Sequence, residues 1–216
     1  MKQRQTGAAI AGSRMVGMVC LLGTGCTRSC PDKQEPFYVS PEATNIVCCH
    51  QRLTDLDVTA CTNLLNLNCF DNGLTNLDLS ANRELISLNC GLNHLADVDV
   101  SANTNLILLR CEANGLDQLE LSANRKLRTL DCSHNALPNL DLSQNTALRW
   151  LDCSFSGLTN LDLSANTNLT VLWCDYCSLT NLDLSSNTKL EHVDCGGNPI
   201  VEIIVADTND LPEAFR

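Results

Sequence analysis

The chain has 216 residues, of which 14 are cysteine and 4% are aromatic, and its formal net charge at pH 7 is −11. This length is enough for one domain with a sizeable core. The acidic balance argues against a nucleic-acid-binding protein, because contact with phosphates needs a basic surface. So many cysteines point to metal or catalytic sites in a cytosolic protein and to disulfides in an exported one.

Residues 1–25 are predicted to be an export signal. They carry three basic residues and no acidic one, and 15–22 is an apolar run that is too short to cross a membrane but typical of a signal peptide. The stretch "LLGTGC" resembles a bacterial lipobox, with Gly23 where a leucine is usual, and this implies a lipid on Cys26. We therefore expect an exported protein, anchored by lipid at the cell envelope or outer surface and otherwise secreted.

Residues 26–42 lack the pattern that follows and contain Pro31, Pro36 and Pro41, which favour extended chain. We interpret them as a tether and N-terminal cap. Removal of the signal takes away three positive charges and no negative one, so the net charge of the remaining chain falls from −11 to −14.

The next segment repeats itself without insertion or deletion, with a constant step equal to the separation of Cys48 and Cys69. Leucines lie two residues before and five residues after the cysteine in six of the repeats. This self-similarity predicts a solenoid of about eight coils over residues 43–206, each coil burying its apolar face against its neighbours. The cysteines with this step, here called the cysteine ladder, are Cys48, Cys69, Cys90, Cys111, Cys132, Cys153, Cys174 and Cys195.

The repeating unit reads L-x-x-L-x-C-x-x-N-x-L-x-x-L-D-L-S-x-N-x-x. It resembles the leucine-rich repeat, and more narrowly the 21-residue, cysteine-bearing repeats of internalin J-like bacterial surface proteins. The resemblance covers about residues 43–206. It implies a leucine-rich repeat solenoid, a horseshoe or right-handed coil with a parallel sheet on its concave side.

Elementary geometry predicts a similar shape. The L-x-C segment alternates with a period of two, so its leucine and cysteine point inward and the residue between them points outward. The asparagine after the strand is expected to bond backbone groups of the turn and of an adjacent coil. Since so short a repeat leaves little room for a helix, we expect a mainly β protein with short extended or 3₁₀-like convex segments.

The ladder cysteines are predicted to be small buried core residues with reduced thiols. Stacked strands hold Cβ atoms about 4.8 Å apart, whereas a disulfide prefers about 3.8 Å. A disulfide among Cys30, Cys49 and Cys61 is expected to stabilise the N-terminal cap, although the sequence does not choose the pair. Cys177 takes the place of a strand-ending asparagine.

The C-terminal end shows no capping helix in the sequence. Ile200, Ile203 and Val205 keep the inward columns, and residues 207–216 are interpreted as a tail. Three interpretations stay open: the solenoid dimerises, it ends raggedly, or the chain is a fragment of a longer protein.

A candidate binding patch lies where aromatic residues concentrate. Of eight aromatic side chains in the chain, four fall on two adjacent coils. Exposed tryptophan and tyrosine anchor protein partners or stack on sugars, and the concave face is the usual ligand surface in proteins that this chain resembles. Alternatively, these coils pack against the C-terminal tail through Phe215. The candidate residues are Trp150, Asp152, Phe155, Trp173, Asp175, Tyr176, His192 and Asp194.

Catalysis is not predicted. The sequence has no phosphate-binding glycine loop, nucleophile elbow or paired-histidine zinc motif, and its four histidines lie on different coils. His134 and Asp131 are near in sequence, but nothing completes a catalytic set. We therefore expect no enzyme activity, no cofactor and no metal site, including calcium on the aspartate row.

The sequence thus favours a non-catalytic cell-surface protein that binds another protein, of a host or of the envelope, through its concave face. A glycan-binding surface protein and a structural segment of a larger surface protein are the alternatives. Contact with a membrane is expected only through the lipid anchor, and no contact with nucleic acid is expected.

Overall fold

A computed structural model describes residue 37 and residues 39–206 of the chain. The predicted signal at 1–25, the lipidated Cys26, Cys30 and the tail at 207–216 with Phe215 lie outside the described residues. Within the described part, no helix is long and apolar enough to cross a membrane.

The described residues form ten short strands in two parallel sheets. In chain order, β1 to β10 are Asn45–Val47, Asn66–Asn68, Ser87–Asn89, Leu108–Arg110, Thr129–Asp131, Trp150–Asp152, Val171–Trp173, Asn181–Asp183, His192–Asp194 and Glu202–Ile204. Eight of them stack in the order β1-β2-β3-β4-β5-β6-β7-β9, and β8 pairs with β10 on the opposite side of the coil. Paired residues are one repeat apart, as Leu88 and Leu109 are, and β7 pairs with β9 at the same separation because β8 belongs to the other sheet.

The predicted solenoid is confirmed, and its core follows the sequence columns. In β4 the central Leu109 is fully buried, its neighbours Leu108 and Arg110 are half-buried and exposed, and the following Cys111 is fully buried. Each coil therefore places its leucine and cysteine against the same residues of the coils above and below. This stacking continues through one core from Ile46 to Val193.

The convex side consists of extended segments and turns. In one coil the backbone N–H of Asn103 donates to the Val100 carbonyl at 3.0 Å, and the N–H of Leu106 donates to the Asn103 carbonyl at 3.1 Å. These single turns have the hydrogen bond of a 3₁₀-helix but are not joined into one, so the convex side of the described residues combines extended segments with isolated 3₁₀-like turns. Only β8 and β10 pair regularly on this side of the described chain.

Side-chain carboxylates close these convex turns. Oδ1 of Asp78 accepts hydrogen bonds from the Ser80 backbone N–H at 2.9 Å and from its hydroxyl at 2.6 Å. The hydrogen bonds from Ser80 lower the pKa of Asp78 below its usual value. The same contact recurs along the solenoid, so the Asp-Ser pairs of these coils cap convex turns.

Two columns of asparagine satisfy backbone groups inside the coils. The first follows the strands: Asn93 Nδ2 donates to the carbonyl oxygens of Cys90 and Cys69, and its Oδ1 accepts from the Leu74 N–H at 3.0 Å. The amide therefore joins its own turn to the preceding coil, as predicted. This first asparagine column contains Asn72, Asn93, Asn114, Asn135 and Asn198.

The second asparagine column lies in the convex turns, and its structural role is not predicted in the sequence analysis above. Asn124 is fully buried, and its Nδ2 donates to the carbonyl oxygens of Val100 and Asn103 in the preceding coil, both at 3.0 Å. The Oδ1 atoms of this column have no hydrogen-bond partner among the described residues. The column contains Asn82, Asn103, Asn124, Asn145, Asn166 and Asn187.

All eight ladder cysteines carry free thiols. The Cys90 thiol donates to the Arg110 carbonyl of the next coil, with Sγ···O at 3.5 Å, and the same carbonyl accepts the Cys90 backbone N–H at 2.8 Å. Burial raises the pKa of the Cys69 thiol to about 12 and that of Cys111 well above its usual value. The ladder thus supplies small core residues that also bond the next strand.

The expected N-terminal disulfide does not involve Cys61. Its side chain is buried, and its thiol donates to the Ser40 carbonyl at 3.3 Å, which places Cys61 at the start of the second asparagine column as a weaker donor. A bond between Cys49 and Cys30 stays a prediction, because Cys30 lies outside the described residues. Cys177, in the first asparagine column, bonds the Cys153 carbonyl through its thiol at 3.3 Å.

We expect the central ladder thiols to resist alkylation in the folded protein. Iodoacetamide needs the thiolate, and burial of Cys111 and Cys132 disfavours it. Peptide mass spectrometry after native alkylation at mildly alkaline pH should show modification of the half-buried Cys195 and none of these two, while unfolding in urea should expose all of them. Native labelling of Cys111 faster than Cys195 would contradict this account.

We expect Asn124→Ala to destabilise the fold by about 1–3 kcal/mol, because it leaves two buried carbonyl groups without a donor. Asn139→Ala is the matched control, since Asn139 is exposed on the convex side of the next coil. The midpoint of urea unfolding, followed by circular dichroism, should fall for the first variant and stay near the parent value for the second. Equal midpoints would show that the second asparagine column is not structural.

Candidate functional site

The candidate residues of the strands lie on the concave face, in two adjacent columns. Trp150, Val171 and His192 are direct partners across β6, β7 and β9. In the other column, Trp173 is the direct partner of Asp152 on one side and of Asp194 on the other. The strand alternation turns all these side chains outward because the residues between them face the core.

The two tryptophans are in contact and line a shallow groove. Their ring centroids are 5.3 Å apart and the planes cross at 73°, which is an edge-to-face contact. Trp173 is 42% exposed and Trp150 is half-buried. We call this depression, of 440 Å³, the tryptophan groove; it is lined by Trp150, Val171, Trp173, His192, Val193 and Asp194.

Phe155 and Tyr176 lie one turn further along, beside the strand ends. Their rings are stacked at 4.6 Å and 15°, and His134 stacks on the other face of Phe155 at 4.4 Å and 8°. We call these three residues the ring stack. Tyr176 is 60% exposed, so the stack presents aromatic surface to solvent.

A left-handed backbone turn positions the ring stack. The residue two positions after the ladder cysteine has positive φ in every coil, with 54° at His134, 53° at Phe155 and 48° at Tyr176. Only the last coil has glycine there, and a Cβ on Gly197 would lie 2.7 Å from the Tyr176 ring. The missing side chain lets that ring extend over Gly197. The rings of the stack contact one another within this column. In the tryptophan groove, the ring contact is between the two tryptophans.

Carboxylates follow the same stretch of the concave face. Oδ1 of Asp152 accepts the Ser154 hydroxyl and N–H, and Oδ1 of Asp194 accepts the Gly196 N–H at 3.0 Å. Burial raises the pKa of Asp152, the bonds from Ser154 lower it, and the charges of Asp131 and Asp175 raise it further. The aspartates of this face thus lie close enough to repel one another.

Sequence reasoning missed two participants in this surface. His134 belongs to the ring stack, and its position two residues after a ladder cysteine is the signal that identifies it. Glu112 is half-buried, and a Cβ on Gly91 would lie 2.4 Å from its carboxyl carbon. Burial raises the pKa of Glu112. Gly91 and Glu112 each follow a ladder cysteine, so the spacing makes them neighbours, but it does not indicate that the Glu112 side chain lies over Gly91.

The geometry offers no assembled catalytic centre among the described residues. His134 stacks on Phe155, while Asp131 bonds the Ser133 hydroxyl at 2.7 Å. In residues 37 and 39–206, no three His, Cys, Asp or Glu side chains converge to hold a metal ion. What the surface can do chemically is stack on flat groups, exclude water from the groove and attract positive charge.

Comparison with known proteins found similarity through structure. No protein-family profile and no curated protein sequence matches the chain. The functional domain of InlJ from Listeria monocytogenes, which includes a cysteine ladder, is 35% identical with a TM-score of 0.65 over 79% of this chain. The match spans 42% of the InlJ domain, so the chain corresponds to less than half of it.

Two further structures share the fold alone. Internalin C2 of Listeria monocytogenes is 22% identical, with a TM-score of 0.69 over 79% of this chain and 76% of its own. The ectodomain of the plant receptor kinase GASSHO1/SCHENGEN3 from Arabidopsis thaliana, in complex with CASPARIAN STRIP INTEGRITY FACTOR 2, is 19% identical, with a TM-score of 0.60 over 65% of this chain and 19% of its own. With its short regular coils, concave parallel sheet and internal row of thiols, the chain is a leucine-rich repeat protein whose cysteine ladder resembles that of internalin J.

Proposed function

We propose that this protein is a non-catalytic binding protein that holds a protein partner on its concave face. The observation that carries the proposal is the tryptophan groove, in which exposed Trp173 lies against half-buried Trp150 in a chain with few aromatic side chains. Such residues dominate binding energy at protein interfaces. The proposed contact residues are Trp150, Asp152, Phe155, Trp173, Asp175, Tyr176, His192 and Asp194.

The fold supports a binding role. Every inward column is fixed by the core, so only outward columns can vary without loss of stability. Leucine-rich repeat domains generally act as scaffolds for other proteins, and one structure of this fold is in complex with CASPARIAN STRIP INTEGRITY FACTOR 2. A host or envelope protein is the proposed partner of the present chain.

We further propose that the protein acts at the cell surface as a lipoprotein. The charge pattern of residues 1–25 and the "LLGTGC" stretch support export and lipidation at Cys26. An adhesive role outside the cell fits an acidic solenoid that resembles internalin J. Since the chain spans 42% of the InlJ domain, a structural segment of a larger surface protein is the competing proposal.

Glycan binding is a second candidate function. Tryptophan faces stack on sugar rings, and the groove of 440 Å³ is open to solvent. Asp194 and His192 at its border offer hydrogen bonds to hydroxyl groups. A glycan array with the intact protein and the Trp173→Ala variant distinguishes the two candidates, because only a glycan-binding groove gives a tryptophan-dependent signal there.

We expect photo-crosslinking to map a partner to the concave face. A benzophenone amino acid at Val171, in the tryptophan groove, should capture an adduct on intact cells, whereas the same probe at Ser164 on the convex side should not. Trp173→Ala should reduce capture from Val171 about tenfold or more, since a buried interface tryptophan is worth about 2 kcal/mol or more. Because Trp173 is exposed, the midpoint of urea unfolding of the Trp173→Ala variant should equal that of the parent protein. Adducts at Ser164 alone would place the partner elsewhere.

We expect intact-mass spectrometry of membrane-extracted protein to show a diacyl or triacyl chain beginning at Cys26. In the Cys26→Ser variant, a lipoprotein-specific peptidase should not cleave the signal peptide, and the lipid mass should be absent. A chain that begins at Cys26 without lipid indicates secretion and contradicts the anchor.

A further inference from the structure

Trp173 lies between two carboxylates on the concave face. Parallel pairing places Asp152 on one neighbouring strand and Asp194 on the other, both directly opposite Trp173 and on the same side of the sheet. Strands in a sheet are about 4.8 Å apart, so the indole has a carboxylate on each flank. The face of an indole carries negative potential, so the three groups together form one electronegative surface.

The charge of this surface is not balanced within the described chain. Between residues 37 and 206, the only ion pair among described side chains joins His50 and Asp71 at the other end of the solenoid. Asp152 and Asp194 accept hydrogen bonds from Ser154 and from the Gly196 N–H, but neither has a cationic partner among the described residues.

The basic residues closest in sequence to Asp152 and Asp194 do not fill this role. Arg149 precedes β6, outside the two outward strand columns, and is exposed without an ion pair to these aspartates. Lys189 is exposed and donates to Oδ1 of Asn168 at 2.6 Å instead. The strand columns of β5, β6, β7 and β9 contain no lysine or arginine at all. Asp152 is half-buried and lies near Asp131 and Asp175, so the negative charges of these three aspartates repel one another.

We propose that the tryptophan groove binds a cationic segment of a partner protein, with an arginine or lysine side chain over Trp173 between Asp152 and Asp194. This inference rests on the proposed function and adds the chemistry of the partner. A cation on an indole face gains more when it is partly removed from water, as in this groove, and two flanking carboxylates add charge-assisted hydrogen bonds. Arginine suits the site best because its planar fork both stacks and pairs with carboxylates.

Electrostatics favours this occupant over a neutral sugar. A sugar would use the tryptophan faces but would leave the repulsion among Asp131, Asp152 and Asp175 in place, and its binding would displace water from these carboxylates without compensating their charge. A cation removes that repulsion when it binds. Complementarity of this kind also accelerates encounter with a basic partner.

The test uses the full chain and a defined probe. A short fluorescein-labelled peptide of alternating arginine and serine is titrated with the protein at low ionic strength, and anisotropy gives the affinity; peptides with glutamine or glutamate in place of arginine are the probe controls. The double variant Asp152→Asn, Asp194→Asn removes both charges and keeps the tryptophans. The matched control, Asp141→Asn with Asp162→Asn, makes the same change of net charge on the convex face.

We expect the parent protein to bind the arginine peptide, more weakly as salt rises, and the glutamine and glutamate peptides at least about tenfold more weakly. The concave double variant should lose about tenfold or more in affinity, and the convex variant should change little. Trp173→Leu should lose about tenfold as well, which separates a cation on the indole from simple attraction to an acidic protein.

Three outcomes would overturn the inference. Equal losses in the concave and convex variants would mean that net charge alone attracts the peptide. No binding of the arginine peptide at millimolar concentration would mean that the groove is not a cation site. Binding of a glycan, or photo-crosslinking of a partner from Val171, that is unaffected by the concave double variant would preserve the proposed binding function and reject the cationic partner.

Discussion

A coil as short as this one has to turn sharply several times, and each turn points backbone carbonyl groups into the core where no strand can pair with them. Two columns of asparagine solve this problem by donating from one coil into the preceding one. Asn93 bonds Cys69 and Cys90, and Asn124 bonds Val100 and Asn103. The backbone hydrogen bonding of each coil is therefore completed by the next coil, so the stability of a coil depends on its neighbours. The ladder thiols also connect neighbouring coils. The Cys90 thiol donates to the Arg110 carbonyl of the next coil, which also accepts the Cys90 backbone N–H.

Because core packing and backbone hydrogen bonds fix the inward positions, a partner can be bound only by the outward columns. Inward positions admit only leucine, cysteine and a few relatives because the coils stack in strict register. Outward positions on the concave side change from Asn68 at one end to Trp173 near the other without altering the strands. The tryptophan groove and the ring stack thus lie on a surface whose backbone is set independently of the side chains it presents.

The two sides of the solenoid use carboxylates differently. On the convex side, the bonds from Ser80 lower the pKa of Asp78, and that carboxylate closes a turn. On the concave side, burial raises the pKa of Asp152, and nearby aspartates add repulsion. Both carboxylates accept hydrogen bonds from a serine two residues later, but Asp152 is half-buried whereas Asp78 is exposed. The cation site that we propose on the concave face rests on this burial of negative charge.

The sequence by itself determined the period, the inward columns and the outward position of Trp150 and Trp173, because a constant repeat length decides which residues share a column. It also placed Phe155 and Tyr176 in one column, where the structure stacks their rings. Only the tertiary structure decided that His134 joins this stack and that Cys61 bonds Ser40 as a thiol. It likewise brought the rings of Trp150 and Trp173 into edge-to-face contact and gave the ring column its left-handed backbone. Side-chain direction and backbone φ depend on neighbours from adjacent coils, and spacing along the chain does not specify those contacts.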